Sequence, residues 1–298
     1  MSKQMNPQSI PEQAFRLYDQ YAHGLIDRRQ FLAGLGRVAM GSMTAVALFE
    51  ALTPDYARAQ QVSFNDTDIQ ASYREFTSPN GHGKGRGYLV MPRHVPASLP
   101  AVLVIHENRG LNPYIEDVAR RLAKAGFIAF APDALYPLGG YPGNDDDGRA
   151  LQQRLDGDKI AADFAAAARF LAAMDNGNGR LGVVGFCFGG GLTNRLAAGL
   201  PELVDAAVPF YGMPPELDQV GRIKAALLVH MGERDERINA QWPAYEQALN
   251  QHGIRYQAFV YANAPHGFHN DSTPRYDAEA AELAWSRTIA FFNEHLRP

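Results

Sequence analysis

A single cysteine, Cys187, stands in 298 residues. That excludes an intramolecular disulfide and a zinc cluster built on thiolates. Strong charge of one sign is missing too: 28 Lys and Arg face 32 Asp and Glu, a formal charge of −4. With no basic run of the kind that tracks phosphates, nucleic acid is not an expected partner. Long apolar runs are also lacking. Val38 to Phe49 is free of charge, but its 12 residues fall short of the roughly 20 that a stable membrane span needs. Repeats and low-complexity tracts are absent, and 46% apolar against 20% charged residues is a globular composition.

Residues 1–59 differ in character from the rest. A polar stretch runs to Asp27, then comes Arg28-Arg29-Gln30-Phe31-Leu32, then the charge-free segment, then Ala57-Arg58-Ala59. The order resembles a twin-arginine export signal with cleavage after Ala59. Export machinery would then be a partner and the location periplasmic or exported. The mature chain would keep 239 residues at a charge of −5. The alternative is a cytoplasmic protein that retains a helical extension, with Arg28 and Arg29 on its solvated face.

Residues 60–298 read as one catalytic domain. Short β-branched runs alternate with longer Ala- and Leu-rich stretches, the pattern of a mostly parallel sheet of seven or eight strands with helices on both faces. Ala101-Val102-Leu103-Val104-Ile105 is apolar without alternation, as a strand buried on both sides should be. Further strands are expected at 87–91, 127–131, 181–185, 206–210, 225–230 and 256–261. Helices are expected near 114–125, 159–174, 188–199, 240–251 and 277–294. Gly81, Gly83, Gly85 and Gly87 do not make a phosphate cradle, because they lead into Tyr88-Leu89-Val90 and not into a helix. Tyr136 to Gly148, with Asp145-Asp146-Asp147, reads as an exposed acidic excursion.

The chemistry concentrates at Gly185-Phe186-Cys187-Phe188-Gly189. A nucleophile flanked two residues away on each side by glycine, between a buried strand and a helix, is the pattern of a nucleophile elbow. The helix N-terminus favours thiolate over thiol. Such a nucleophile requires an acid and a histidine further along, each beyond a strand end. Asp235 follows the strand at 225–231, with Glu233 or Glu236 as the fallback. His266, in Ala264-Pro265-His266-Gly267-Phe268-His269, follows the strand at 256–261. His269 could join His266 on a metal, yet no third ligand of suitable spacing is evident, so no metal is expected. The loop His106-Glu107-Asn108-Arg109-Gly110 follows the central strand, which assigns oxyanion donors to the backbone amides of Asn108 and Phe188. Glu107 could hydrogen-bond the thiol or modulate its ionisation, or it could brace the loop by pairing with Arg109.

These segments, with Ala131-Pro132-Asp133-Ala134-Leu135-Tyr136 and Phe210-Tyr211-Gly212, resemble the dienelactone hydrolase family over residues 70–297. The resemblance implies an α/β-hydrolase fold, a Cys187-His266-Asp235 triad and no cofactor. It also implies a role for Glu107 in holding the cysteine inactive until substrate arrives. One departure stands out. The two positions at which the family's carboxylate clamp carries arginine are Leu138 and Asn270 here, so dienelactone itself is not the expected substrate. Arg109, Tyr136 and Tyr211 are the candidate substrate-binding residues, and Arg234 is a further candidate for an anion.

The expectation is a hydrolase of small esters or lactones working through an acyl-cysteine. Two alternatives stay open: acyl transfer by the same triad to an acceptor other than water, and a non-catalytic binding module on the same scaffold.

Overall fold

The computed structural model describes residues 10–39, 44–56, 59–94 and 98–297. Eight strands form one sheet in the order β1-β2-β4-β3-β5-β6-β7-β8. Strands β1 (Ile69–Ser78) and β2 (Gly83–Pro92) form an antiparallel hairpin whose second strand runs antiparallel to β4 (Ile128–Pro132). The rest is parallel: β3 (Leu99–Ile105), β5 (Gly177–Phe186), β6 (Ala206–Phe210), β7 (Ala226–Gly232) and β8 (Tyr256–Tyr261). Every residue of β3, β4, β6 and β7 is buried, which is why these runs carry no polar alternation.

The burial follows from helices on both faces. Helices α4 (Pro113–Lys124) and α10 (Ala278–Leu296) pack Ile115, Val118 and Phe292 on one side. Helices α6 (Gly157–Ala172), α7 (Phe188–Gly199) and α9 (Trp242–Gln251) pack Phe164, Leu196 and Leu249 on the other. The expected helices and parallel strands are all present. Strand β1 is additional to the expected strands, and β2 begins four residues before its expected start.

Two further elements differ from expectation. The acidic excursion is in part a helix, α5 (Asp145–Gln152), with Asn144 accepting the Asp147 amide as its cap. Three aspartates in its first turn complement the helix dipole. The short helix α8 (Glu236–Asn239) then follows β7 and is capped by Asp235.

Ahead of the sheet, α1 (Glu12–Ala22), α2 (Arg28–Val38) and α3 (Ala45–Leu52) bury an apolar cluster of their own that includes Tyr18, Phe31, Leu35 and Leu48. The rings of Tyr21 and Phe31 stack at 4.6 Å. Arg28 and Arg29 form the exposed first turn of α2, capped by Asp27 through a capping box with Gln30. Part of the charge-free segment, residues 40–43, and two residues of the expected cleavage motif, 57 and 58, lie outside the described residues, whereas Ala59 is buried. Among the described residues no helix is long and apolar enough to cross a membrane.

A buried ionic cluster fastens the loop after β8. Asp117 on α4 accepts the Val62 amide at 2.8 Å and Arg121 Nε at 2.6 Å, and Arg121 Nη2 reaches Asp271 at 2.7 Å. Removing one partner of such a cluster leaves a buried guanidinium uncompensated. Asp117→Ala is expected to cost about 3–5 kcal/mol in chemical denaturation, a loss that a solvent-exposed pair would not produce.

Candidate active site

At the end of β5 the chain turns sharply into α7, and Cys187 sits on the turn with φ +55° and ψ −111°. A non-glycine residue there stores roughly 1–3 kcal/mol of strain. The surroundings explain how it is held. A Cβ on Gly185 would lie 2.1 Å from the carbonyl oxygen of Gly189, and one on Gly189 would lie 2.3 Å from that of Ile105. Glycine at both positions lets β5, α7 and the end of β3 meet without side chains between them. Cys187 is thereby left half-buried as a residue and lines, with Phe188, Asn108 and Met213, a cleft of about 830 Å³.

Asp235 and His266 converge on this sulfur from the ends of β7 and β8. The imidazole Nδ1 of His266 lies 2.5 Å from Asp235 Oδ2, and both residues are buried. A ring nitrogen of His266 lies within 4.8 Å of the sulfur. The fallback acids are elsewhere: Glu233 accepts the Asn263 amide and Glu236 is exposed. His269 is buried against Tyr114, its Nδ1 2.7 Å from the phenol oxygen, so it does not pair with His266.

The loop after β3 is set by His106. Its Nδ1 bonds the Glu107 carbonyl, and its Nε2 accepts the Ala134 amide at 3.1 Å. Asn108 is brought to the cleft beside Phe188, whose amide, in the first turn of α7, has no intrahelical partner. The Glu107 carboxylate accepts from Asn270 Nδ2 at 2.8 Å. Among the described residues it shows no hydrogen bond to the thiol and no ion pair with Arg109, so the bonded forms of both readings are not seen. An influence on the ionisation of the thiol through space needs no such bond. Asn270, at a position where the family clamp would have arginine, is occupied in anchoring this buried carboxylate.

The candidate substrate-binding residues fare differently. Arg109 is buried and paired with Asp145 at 2.6 Å, beneath the ring of Tyr18, so it does not line the cleft beside Cys187. Tyr136 donates to Glu75 at 2.6 Å and borders a separate hollow with Tyr73 and Arg86. Tyr211 is fully buried, its ring 4.9 Å from that of His266, and serves as packing for the imidazole. Arg234 pairs with Glu12 of α1 at 3.0 Å. The cleft carries Arg195, Arg222 and Arg237 instead.

One residue at the sulfur had no sequence signal. His23, the C-cap of α1, places Nε2 3.5 Å from Cys187 Sγ and 2.8 Å from Arg237 Nη2, while its Nδ1 faces Asp19. The three side chains His23, Cys187 and His266 could in principle ligate a metal. The guanidinium of Arg237, however, stands against the nitrogen that would have to bind a cation.

The charges reinforce one another. Burial alone would raise the thiol of Cys187, but the imidazoles of His266 and His23 outweigh it and hold the thiol well below its ordinary value. His266 moves the other way: burial disfavours its charged form, yet Asp235 and the sulfur beside it raise it to about 10. Burial opposes ionisation of Asp235 as well, and the His266 charge overcomes that and lowers it. Both shifts run in the direction that favours a thiolate facing an imidazolium.

A family model described as the dienelactone hydrolase family matches residues 86–296. The chain belongs to the dienelactone hydrolase family. A second model, described as YqhI-like, matches residues 1–39. Among similar proteins, a hydrolase fragment of Escherichia coli named YghX is 65% identical over 114 residues, covering 38% of this chain and 97% of the fragment. A Synechocystis sp. protein named as a carboxymethylenebutenolidase is 33% identical, over 74% of this chain and 96% of that protein. A Bradyrhizobium sp. protein named as a 2-oxo-3-(5-oxofuran-2-ylidene)propanoate lactonase is 34% identical, over 72% and 92%. A crystal structure of a Klebsiella pneumoniae protein described as a dienelactone hydrolase superposes with a TM-score of 0.66 at 28% identity, over 76% of this chain and 99% of that one. The family sheet and helices are thus those of an α/β-hydrolase fold, and this member is a carboxylic ester hydrolase.

Because Cys187 is the chain's sole cysteine, its ionisation can be read directly. Alkylation by iodoacetamide is expected to hold its full rate from alkaline pH down through neutrality and to fall only on the acid side. A rate that rises through pH 8–9, as for an ordinary thiol, would contradict the charge arrangement described above.

Proposed function

We propose that the protein hydrolyses small lactones or esters through an acyl-cysteine formed on Cys187, with His266 as the proton carrier and Asp235 as its orienting partner. The observation that carries this reading is a strained, cleft-lining cysteine within reach of an imidazole whose far nitrogen is bound by a buried carboxylate. The names of the Synechocystis and Bradyrhizobium relatives support a lactone as the substrate class.

In this reading the thiolate attacks the substrate carbonyl, and its oxygen takes up negative charge between the amides of Asn108 and Phe188. Losing one such donor typically costs about 3–4 kcal/mol of transition-state stabilisation. The tetrahedral intermediate collapses as His266 donates its proton to the leaving alkoxide, which in a lactone stays tethered to the acyl group. Acylation makes the sulfur neutral and removes one of the charges that hold the proton on His266. The imidazole, having given up its proton to the alkoxide, can then accept one from water as the water oxygen attacks the thioester. The C–S bond breaks, the carboxylic acid leaves, and the thiolate is restored beside the recharged imidazolium. Asp235 keeps the same tautomer throughout and stabilises the charged ring.

Cys187→Ala is expected to lower kcat/KM on activated aryl esters by at least ~10³, and His266→Ala by a comparable factor. Chromogenic ester turnover measures both, and a Cys187→Ala protein as active as the parent would contradict the mechanism. The reaction needs thiolate and imidazolium together. The sign of the pH dependence follows: kcat/KM stays level across neutrality, declines as pH rises through about 10 where His266 loses its proton, and declines again in acid where the thiol is reprotonated. A profile that climbs steadily to pH 10 would contradict this assignment.

A further inference from the structure

Helices α1–α3 precede the matched dienelactone hydrolase region, which starts at residue 86, yet they do not hang free of it. The carbonyl of Ala22 accepts from the Asn108 side chain at 2.6 Å, on the loop assigned to the oxyanion. Glu12 pairs with Arg234 next to Asp235, and Asp19 approaches Arg275 at 3.7 Å. The guanidinium of Arg149 lies 3.8 Å over the Tyr21 ring. These contacts come from four separate parts of the catalytic body. They fix the C-terminal end of α1 where His23 meets the nucleophile.

We propose that His23, with the Asp19 carboxylate as a nearby counter-charge, is a second imidazole on the Cys187 sulfur, supplied by the N-terminal helices to hold the thiolate beside His266. The proposal rests on Cys187 being the nucleophile. His23 Nε2 is 3.5 Å from Sγ, and the His23 and His266 rings meet edge to face at 4.8 Å, so both imidazoles address one atom. Asp19 Oδ1 lies 3.3 Å from His23 Nδ1, and the Asp19 carbonyl lies 2.8 Å from it. The ring is thus held by the Asp19 main-chain carbonyl, with the carboxylate as a nearby counter-charge, a looser arrangement than the direct carboxylate hydrogen bond that Asp235 makes to His266. The C-cap position of His23 adds the negative end of the α1 dipole, which favours a charged ring.

Other groups facing this pair set its balance. Arg237 Nη2, 2.8 Å from His23 Nε2, opposes a proton there. Arg275 draws on Asp19, and Asp235 and Tyr211 stand behind His266. The Cys187 thiolate is the counter-charge that tips His23 toward its protonated form. Glu107 is held by Asn270, and the side chain hydrogen-bonded to the sulfur is His23.

The test uses the full chain and the pH profile of iodoacetamide alkylation at Cys187, which requires no turnover. Its midpoint reports how well the thiolate is held, and its high-pH plateau reports how open the sulfur is. His23→Ala and His23→Gln are expected to move the midpoint to higher pH, the rate on the acid side falling about tenfold for each unit moved. Asp19→Asn should shift it the same way by less. Far-ultraviolet circular dichroism establishes that each variant is folded, and the Gln and Asn variants keep the test available should the Ala variant unfold. A raised plateau with an unmoved midpoint would mean that His23 only covers the sulfur, and would overturn the proposal; so would an unchanged profile. Native-source protein whose intact mass begins near Gln60 would also overturn it, since the working enzyme would then lack His23. If Cys187→Ala protein keeps its esterase activity, the proposed mechanism fails while the alkylation result stands by itself, so the two failures can be told apart.

Discussion

One partly buried negative charge, on the sulfur of Cys187, sets the terms for the rest of the site. A thiolate taken out of water is unstable unless positive charge is fixed beside it. Here that charge comes from His266, itself kept protonated by Asp235, and from His23. The rigid parts of the fold serve to keep these groups within a few ångströms. β5 and α7 hold the turn, the ends of β7 and β8 carry Asp235 and His266, and the ionic cluster of Asp117, Arg121 and Asp271 ties down the loop that follows His266.

Placing Cys187, the proposed nucleophile, on a turn between strand and helix has a cost and two returns. The strained backbone at Cys187 must be supported by packing, and the close approaches at Gly185 and Gly189 supply it. In return Cys187 lines a cleft, and the first-turn amide of α7 is left without an intrahelical partner, as the proposed oxyanion contact requires. The Asn108 loop completes that arrangement only because His106 bonds on both ring nitrogens and fixes the path of the chain. Buried charges that do not face the cleft are paired locally, Arg109 with Asp145 and Glu107 with Asn270.

What could be read in the sequence was whatever is encoded by neighbours along the chain. The elbow glycines, the unbroken apolar strand at 101–105 and the residues just beyond strand ends all depend on local geometry, and they located Cys187, Asp235, His266 and the Asn108 loop. Helix α5 was legible too: Asn144 ahead of three aspartates is helix-start chemistry, overlooked because the surrounding glycines and prolines suggested a loop. Pairings between distant segments were not legible. Arg109 finds Asp145 and Glu107 finds Asn270 across the tertiary structure, so neither partner shows in the spacing. His23 lies 164 positions from the residue it touches. Only the docking of α1 brings it there.

The central claim is that this sulfur forms a covalent bond with the substrate's acyl group. Acid quenching during turnover of a slowly released ester, followed by peptide mass mapping, tests it most directly. An added acyl mass on the peptide containing residue 187, absent from a Cys187→Ala chain, is the expected result. Full turnover with no acylated peptide at any time point, or with the adduct on another residue, would contradict it.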